Sequence, residues 1–352
     1  MVTRIITSIA LVGVLAPCAI FGGWSFFVLI AFLAIVAIHE MLKTPGPQRY
    51  PLYVMAIVYL FILGMIFWNF ASNWVGYPNP VNGGRFSLNF IYVSLLALLC
   101  YGLVLFLIAI ISPKVQLADV TYLFTIGFIL AAGFLGIYFC RYIGNAYGIT
   151  TFGDLMVTPS WSAVPVKASE YFVRYYEVHH INQELASCWL ILFIAGGTWG
   201  SDIGAYFFGM LFGRHKMNPR ISPHKTWEGF FGGMVVGWGL SLGLAALLEF
   251  VFDKPLIPGL LQFRYSALLD GMNVLHGQAW PFIVVVGFLL PTIGNVGGFL
   301  FSLIKRQYGI KDYGKIFPGH GGVIDRFDSM LINCACTAFV IILTMNGWNI
   351  FR

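Results

Sequence analysis

An all-α, polytopic integral membrane bundle of about nine transmembrane helices is the fold that the sequence predicts. Of its 352 residues, 59% are hydrophobic and only 10% are charged, whereas a soluble domain carries roughly 25% charged residues. Crossing the hydrocarbon core takes about 20 consecutive apolar residues, and this chain offers such a window repeatedly from end to end. No low-complexity tract or short-period repeat interrupts it, so residues 1–352 read as a single membrane domain.

The expected spans are 5–21, 24–42, 52–70, 88–111, 120–139, 187–212, 229–252, 281–303 and 329–346. The first is read as a retained helix, because more apolar sequence follows it at once, with no small-residue cleavage site before a polar domain. Phe21-Gly22-Gly23-Trp24 leaves little room between the first two spans. The first five spans form an amino-terminal group, 1–139. A polar, non-cytoplasmic segment, 140–186, separates it from the catalytic helices and motif loops of 187–352. Tyr171, Tyr175, Tyr176, His179, His180 and Glu184 are expected to form a short interfacial helix, since adjacent histidines point about 100° apart and share no ligand. The six cysteines lie in or beside apolar spans without paired spacing, which suits packing rather than zinc or disulfides.

The net charge is +6, and its distribution sets orientation. With nine alternating spans, Arg4, Lys43, Arg49, Lys114 and the cations of 214–225 and 305–326 share one side. The positive-inside tendency makes that side cytoplasmic. This placement points to the bilayer and not to nucleic acid as the partner of the positive charge.

Two polar turns on the basic side carry the chemistry. The stronger runs from Ser302 to Ser329. Lys305-Arg306 end one span, Lys311-Asp312 follow, and Pro318-Gly319-His320-Gly321-Gly322 lead into Asp325-Arg326-Phe327-Asp328 at the start of the last helix. Charges crowded beside lipid cost several kcal/mol unless paired or hydrated, and a topology signal needs no histidine, glycine cluster or acidic pair. Nucleotidyl transfer accounts for the mixture: triphosphate oxygens take cations and backbone N–H donors, and a bridging Mg²⁺ takes carboxylates. Asp325 and Asp328 are three residues apart and share a helix face, which fits one metal. Gly321 and Gly322 permit a close approach of backbone to phosphate just before a helix amino terminus. Arg306 offers a bidentate fork, and Lys305 and Lys311 are point charges.

The second turn is Ile221-Ser222-Pro223-His224-Lys225-Thr226-Trp227-Glu228-Gly229. Ser222 and Thr226 are candidates to cap a helix or bind phosphate, Lys225 to hold a phosphate, and Glu228 sits where a first-turn carboxylate is favoured. Upstream, Asp202 lies inside its span, and an intramembrane carboxylate is a functional candidate. Gly196, Gly197, Gly200, Gly204 and Gly209 would let other helices approach that span. His39-Glu40 and Arg141 with Asp154 read as ordinary interfacial residues and stay outside the site. A secondary transporter or channel with Asp202 as its ion site is the competing class.

At these residues the chain resembles the phosphatidate cytidylyltransferase (CDP-diacylglycerol synthase) family. Ser302, Lys305-Arg306, Lys311-Asp312, Pro318, His320-Gly321-Gly322, Asp325-Arg326 and Asp328 match its signature, and Ser222-Pro223, Lys225-Thr226 and Glu228-Gly229 resemble its second motif. The resemblance implies that CTP and phosphatidate react to CDP-diacylglycerol and diphosphate. It implies Mg²⁺, with a second cation compatible, at Asp325, Asp328, Asp312 and Asp202. Lys305, Arg306, Lys311 and His320 would serve the phosphates, and Ser222, Lys225, Thr226, Glu228, Ser302, Gly321, Gly322 and Arg326 would bind substrate. A bacterial inner (plasma) membrane, an active site facing the cytoplasm and an optional homodimer complete the expectation. One departure stands out: many bacterial members carry a Gly-Asp pair and a Glu before the signature serine, where this chain has Gly297-Gly298-Phe299 and Phe301.

Overall fold

The computed structural model describes residues 2–74, 88–147, 166–251, 256, 280–317, 319 and 321–345. Among them are nine helices and one small hairpin: α1 Val2–Phe21, α2 Gly23–Lys43, α3 Leu52–Trp74, α4 Leu88–Ile111, α5 Leu117–Tyr147, α6 Val166–Phe212, β1 Lys216–Asn218, β2 Ser222–Thr226, α7 Trp227–Phe250, α8 Trp280–Gln307 and α9 Ile324–Met345. Every expected span coincides with a helix. Seven helices are long and apolar enough to cross a membrane, which makes this an integral membrane protein.

The helices overrun the expected spans where charge begins. Lys305 and Arg306 occupy the last turn of α8, and Asp325 the first turn of α9. The largest difference is α6, a single helix of 47 residues and so about 70 Å long at 1.5 Å per residue. Residues 171–184, expected as a short interfacial helix within the polar segment 140–186, fall in its first half. The reason lies in the sequence, since neither glycine nor proline occurs between Val166 and Ala195 to break the helix. Residues 148–165 and Asp154 lie outside the described residues.

The bundle holds itself together with glycine, aromatic packing and a few buried polar groups. Gly22 (φ 64°) and Gly23 (φ 53°) turn the chain sharply between α1 and α2. Fully buried Arg141, on α5, donates to the terminal α1 carbonyls of Ala19 and Ile20, satisfying acceptors that a helix end leaves over. Arg49 donates two hydrogen bonds to Asp119, 3.0 and 2.7 Å, and ties the α2–α3 loop to the start of α5.

Among the described residues, the antiparallel pair α6 and α7 makes the most extensive helix contact. A methyl group at Gly237 would stand 2.5 Å from the Gly197 carbonyl oxygen, and one at Gly233 would stand 2.6 Å from that of Ser201. Only bare backbone permits that approach, and lipid supplies little hydrophobic drive between helices, so close van der Waals contact carries the association. Gly196 faces open space and takes no part.

Candidate active site

The hairpin between α6 and α7 and the loop between α8 and α9 meet at one end of the bundle. Arg306 Nε donates to the Ile221 carbonyl at 3.2 Å, and its Nη1 donates to the Ile310 carbonyl at 3.3 Å. One guanidinium thereby spans both polar turns. In the hairpin, Lys216 pairs with Thr226 and Asn218 with Ser222. Thr226 caps α7, its hydroxyl accepting the Gly229 N–H at 3.2 Å. Glu228 accepts the backbone N–H groups of Arg214 and His215 at 3.1 and 3.2 Å, and its Oε1 lies 2.6 Å from His215 Nδ1. Thr226 and Glu228 thus build the turn that presents Lys225.

The amino terminus of α9 is already furnished with an anion. Glu40, buried on α2, accepts the N–H groups of Val323 and Ile324, each at 3.0 Å. Gly314 and Gly322 admit its carboxylate, since a Cβ at either would overlap Glu40 Oε1. Two of the donors that the start of α9 would otherwise leave over are thus taken by this chain itself. Gly321 (φ 87°) exchanges backbone hydrogen bonds with Phe317, 3.0 and 3.2 Å. In this structure the Gly321 N–H is taken by the Phe317 carbonyl and the Gly322 N–H by Asp325.

Asp325 organises the same loop. It takes an ion pair from Lys305 at 2.9 Å and backbone N–H bonds from Tyr313 at 2.8 Å and Gly322 at 3.0 Å. The Lys305 ammonium also stands 5.4 Å from the Tyr313 ring centre. Tyr313 donates its hydroxyl to the Phe301 carbonyl at 2.7 Å, and burial raises its phenol above the ordinary range. Phe301, fully enclosed, packs edge-on against that ring.

Asp328 faces another way. Its Oδ1 accepts the Ser329 N–H at 2.6 Å, and it lies within electrostatic reach of Lys305 and Lys225. Asp202, from α6, is within the same reach of Asp328, Lys225 and Arg326. Two carboxylates from different helices thus converge with Lys225 between their elements. Lys225 donates to Asn295 Oδ1 at 3.2 Å and lies 4.6 Å from the centre of the Phe299 ring. Burial pulls its ammonium below the ordinary 10.5, while Asp202 and Asp328 push it back up. A methyl at Gly298 would stand 3.3 Å from Lys225 Nζ, 3.4 Å from Ser329 Oγ and 4.0 Å from Asp328 Oδ2. The departure from the bacterial pattern at Gly298 therefore sits at the centre of the cluster.

Of the residues expected from sequence, Lys225, Lys305, Arg326, Asp202, Asp325 and Asp328 gather here. Arg306, Thr226 and Glu228 frame the cluster. Ser222 sits partly buried on β2 and Ser302 partly buried on α8, while Lys311 and Asp312 are exposed in the loop. His320 lies outside the described residues. Among the described residues, no three histidine, cysteine or carboxylate side chains form one metal-holding group. Sequence reasoning missed Glu40 and Asn295. Glu40 carried a signal, a carboxylate in the last turn of a span, but its partners lie 283 and 284 residues away.

Residues 2–344 match the cytidylyltransferase family. Among curated proteins, the phosphatidate cytidylyltransferase of Staphylococcus epidermidis is 38% identical over 141 residues, 40% of this chain and 44% of that protein. The one from Bacillus subtilis is 36% identical over 145 residues, 41% and 44%, and the one from Haemophilus influenzae 31% over 152 residues, 43% and 45%. The chain thus spans less than half the length of these relatives, while the family match runs through nearly all of it. It belongs to the cytidylyltransferase family.

Proposed function

We propose that the chain transfers a cytidylyl group from CTP to phosphatidate, yielding CDP-diacylglycerol and diphosphate, at the inner face of a bacterial plasma membrane. The observation that carries this is the convergence of Asp202 and Asp328 with Lys225, Lys305 and Arg326 where two polar turns join at the end of apolar helices. Positive charge at the rim of a bilayer suits both an anionic lipid head group and a soluble nucleotide. The relatives named above carry the same activity in their names.

In the reaction, an oxygen of the lipid phosphate attacks the α-phosphorus of CTP. The bond from that phosphorus to the bridging oxygen breaks, and diphosphate leaves with the electron pair. No covalent enzyme intermediate is needed. Lys225 and Arg326 neutralise phosphate oxygens on the carboxylate side, and Lys305, held by Asp325, extends positive charge toward the loop. Arg306 keeps the two turns in register, and Glu228 holds the turn that presents Lys225.

Mg²⁺ is usually held by one or two carboxylates together with substrate phosphates and water, which suits Asp202 and Asp328. Bound there, the cation would supply charge stabilisation to the phosphates. Asp325 is occupied by Lys305 and two backbone donors, and Asp312 is exposed, so the geometry favours the first pair.

The test is CDP-diacylglycerol formation by purified protein given CTP, phosphatidate and Mg²⁺. Absence of product from a folded sample, or an Asp328→Asn variant as active as the parent, would sink the assignment. The competing transporter reading loses ground to membership in a cytidylyltransferase family. Uptake into proteoliposomes without CTP consumption would revive it.

A further inference from the structure

Asn295 is a buried amide in the middle of α8, in a helix that crosses lipid. An amide there costs free energy unless both of its ends are satisfied. Its Nδ2 donates to the Pro291 carbonyl at 3.0 Å and reaches Ser201 Oγ at 3.5 Å. A carbonyl only accepts, so the amide orientation is fixed and Oδ1 is left facing outward. That oxygen accepts from Lys225 at 3.2 Å. One turn further along α8, the Phe299 ring stands 4.6 Å from the same ammonium, and Gly298 between them leaves 3.3 Å to the place a Cβ would take. An acceptor, a ring face and a missing side chain on a single helix thus surround the tip of a lysine delivered by the hairpin. The small-residue stripe alone would explain packing; the hydrogen bond and the ring both point at the ammonium.

We propose that Asn295 is a positioning residue, which with Phe299 and the bare backbone of Gly298 fixes the Lys225 ammonium where it meets a phosphate oxygen of the substrate. This rests on the nucleotidyl-transfer reading and adds a residue outside the motif turns that gave rise to it. Asn295 touches no reacting atom. It acts by holding Lys225 against the pull of Asp202 and Asp328, so that the lysine stays aimed when an anion arrives.

A double-mutant cycle tests it, with the full-length protein in lipid nanodiscs. Asn295→Leu, Lys225→Met and the double variant are compared in equilibrium binding of CTP and of short-chain phosphatidate, and in the KM for each. Asn295→Leu raises one KM at least about fivefold with kcat within about threefold, and the double variant is no worse than Lys225→Met alone. Losses that add independently would overturn the proposal, because a merely structural asparagine would act whether or not the lysine is present. The KM that moves tells whether the lysine meets nucleotide or lipid phosphate.

Gly298→Ala is the second arm. Alanine favours the helix, and its methyl meets only the movable tip of Lys225 and two side-chain oxygens. The same KM rises while the melting temperature holds. Should Asn295→Leu fail to fold, an unchanged KM in Gly298→Ala overturns the proposal. A parent protein that binds CTP but forms no CDP-diacylglycerol refutes the proposed activity, and the cycle, read in binding, still decides on Asn295. Failure of the parent to bind either ligand removes both.

Discussion

Lys305 and Asp325 form an ion pair of 2.9 Å whose side chains are 13% and 5% exposed, and the pair closes the loop between α8 and α9 on itself. Asp325 has further partners in the N–H groups of Tyr313 and Gly322, whereas Asp328, one turn on, opens toward Lys225 and Asp202. The two aspartates of the DRFD sequence therefore have different duties.

Their substitutions should separate accordingly. Asp325→Asn leaves Lys305 without its counter-charge and lowers the melting temperature along with activity, at a cost of about 3 kcal/mol for breaking a largely buried pair. Asp328→Asn leaves the melt close to the parent and lowers turnover about a hundredfold or more, as expected when a charge-stabilising carboxylate is lost. Thermal melts beside CDP-diacylglycerol assays check both, and identical behaviour of the two variants would refute the division.

Glu40 should prove a stability residue despite its distance in sequence. Glu40→Ala strands two buried N–H donors, which at roughly 1–3 kcal/mol each amounts to about 2–6 kcal/mol. Denaturation in mild detergent measures it. A variant as stable as the parent would mean that the α9 amides find other acceptors.

Burial makes Lys225 shed its proton at a lower pH than the ordinary 10.5. The sign follows from the charge: the ammonium serves phosphate only while protonated, so activity is retained below the lowered value and lost as pH rises through it. The ratio kcat/KM reports the free enzyme and should fall on the alkaline side before pH 10.5. Lys225→Arg, whose guanidinium stays charged, moves that limb upward while lowering the rate. An alkaline limb that Lys225→Arg leaves in place would assign it to another group.

The glycines of α6 differ in what they do. A Cβ at Gly197 would stand 2.6 Å from Ser241 Oγ and 2.8 Å from Leu290 Cδ1, and one at Gly200 2.6 Å from Leu240 Cδ1, so leucine at either should force α6 from its neighbours and lower folded yield. Gly196→Ala meets nothing within 4 Å and should gain about 0.5–1 kcal/mol of helix stability. Melting curves or folded yield rank them.

The helices were legible because hydrophobic length alone reports a span, and their ends slipped where polar or charged residues let helix continue past the apolar window, as at Lys305, Arg306 and Asp325 and along the first half of α6. The motif turns were legible as a charged mixture with no structural excuse. Individual duties were less so. Arg306, expected on phosphate, grips two carbonyls, and Gly322, expected to bare backbone to a ligand, makes room for Glu40. Asn295 was invisible, since one asparagine in an apolar span reads as incidental until Lys225, 70 positions away, is seen at its oxygen. Such pairings belong to three-dimensional folding, and no local periodicity encodes them.

The link from Glu40 to the first turn of α9 bears on how this protein can be divided. The last helix borrows its seat from the second, so the leading helices are no detachable anchor for a self-sufficient catalytic half. A chain cut in the 148–165 segment should regain activity only when both fragments are synthesised together, and the carboxyl-terminal fragment by itself should be inert.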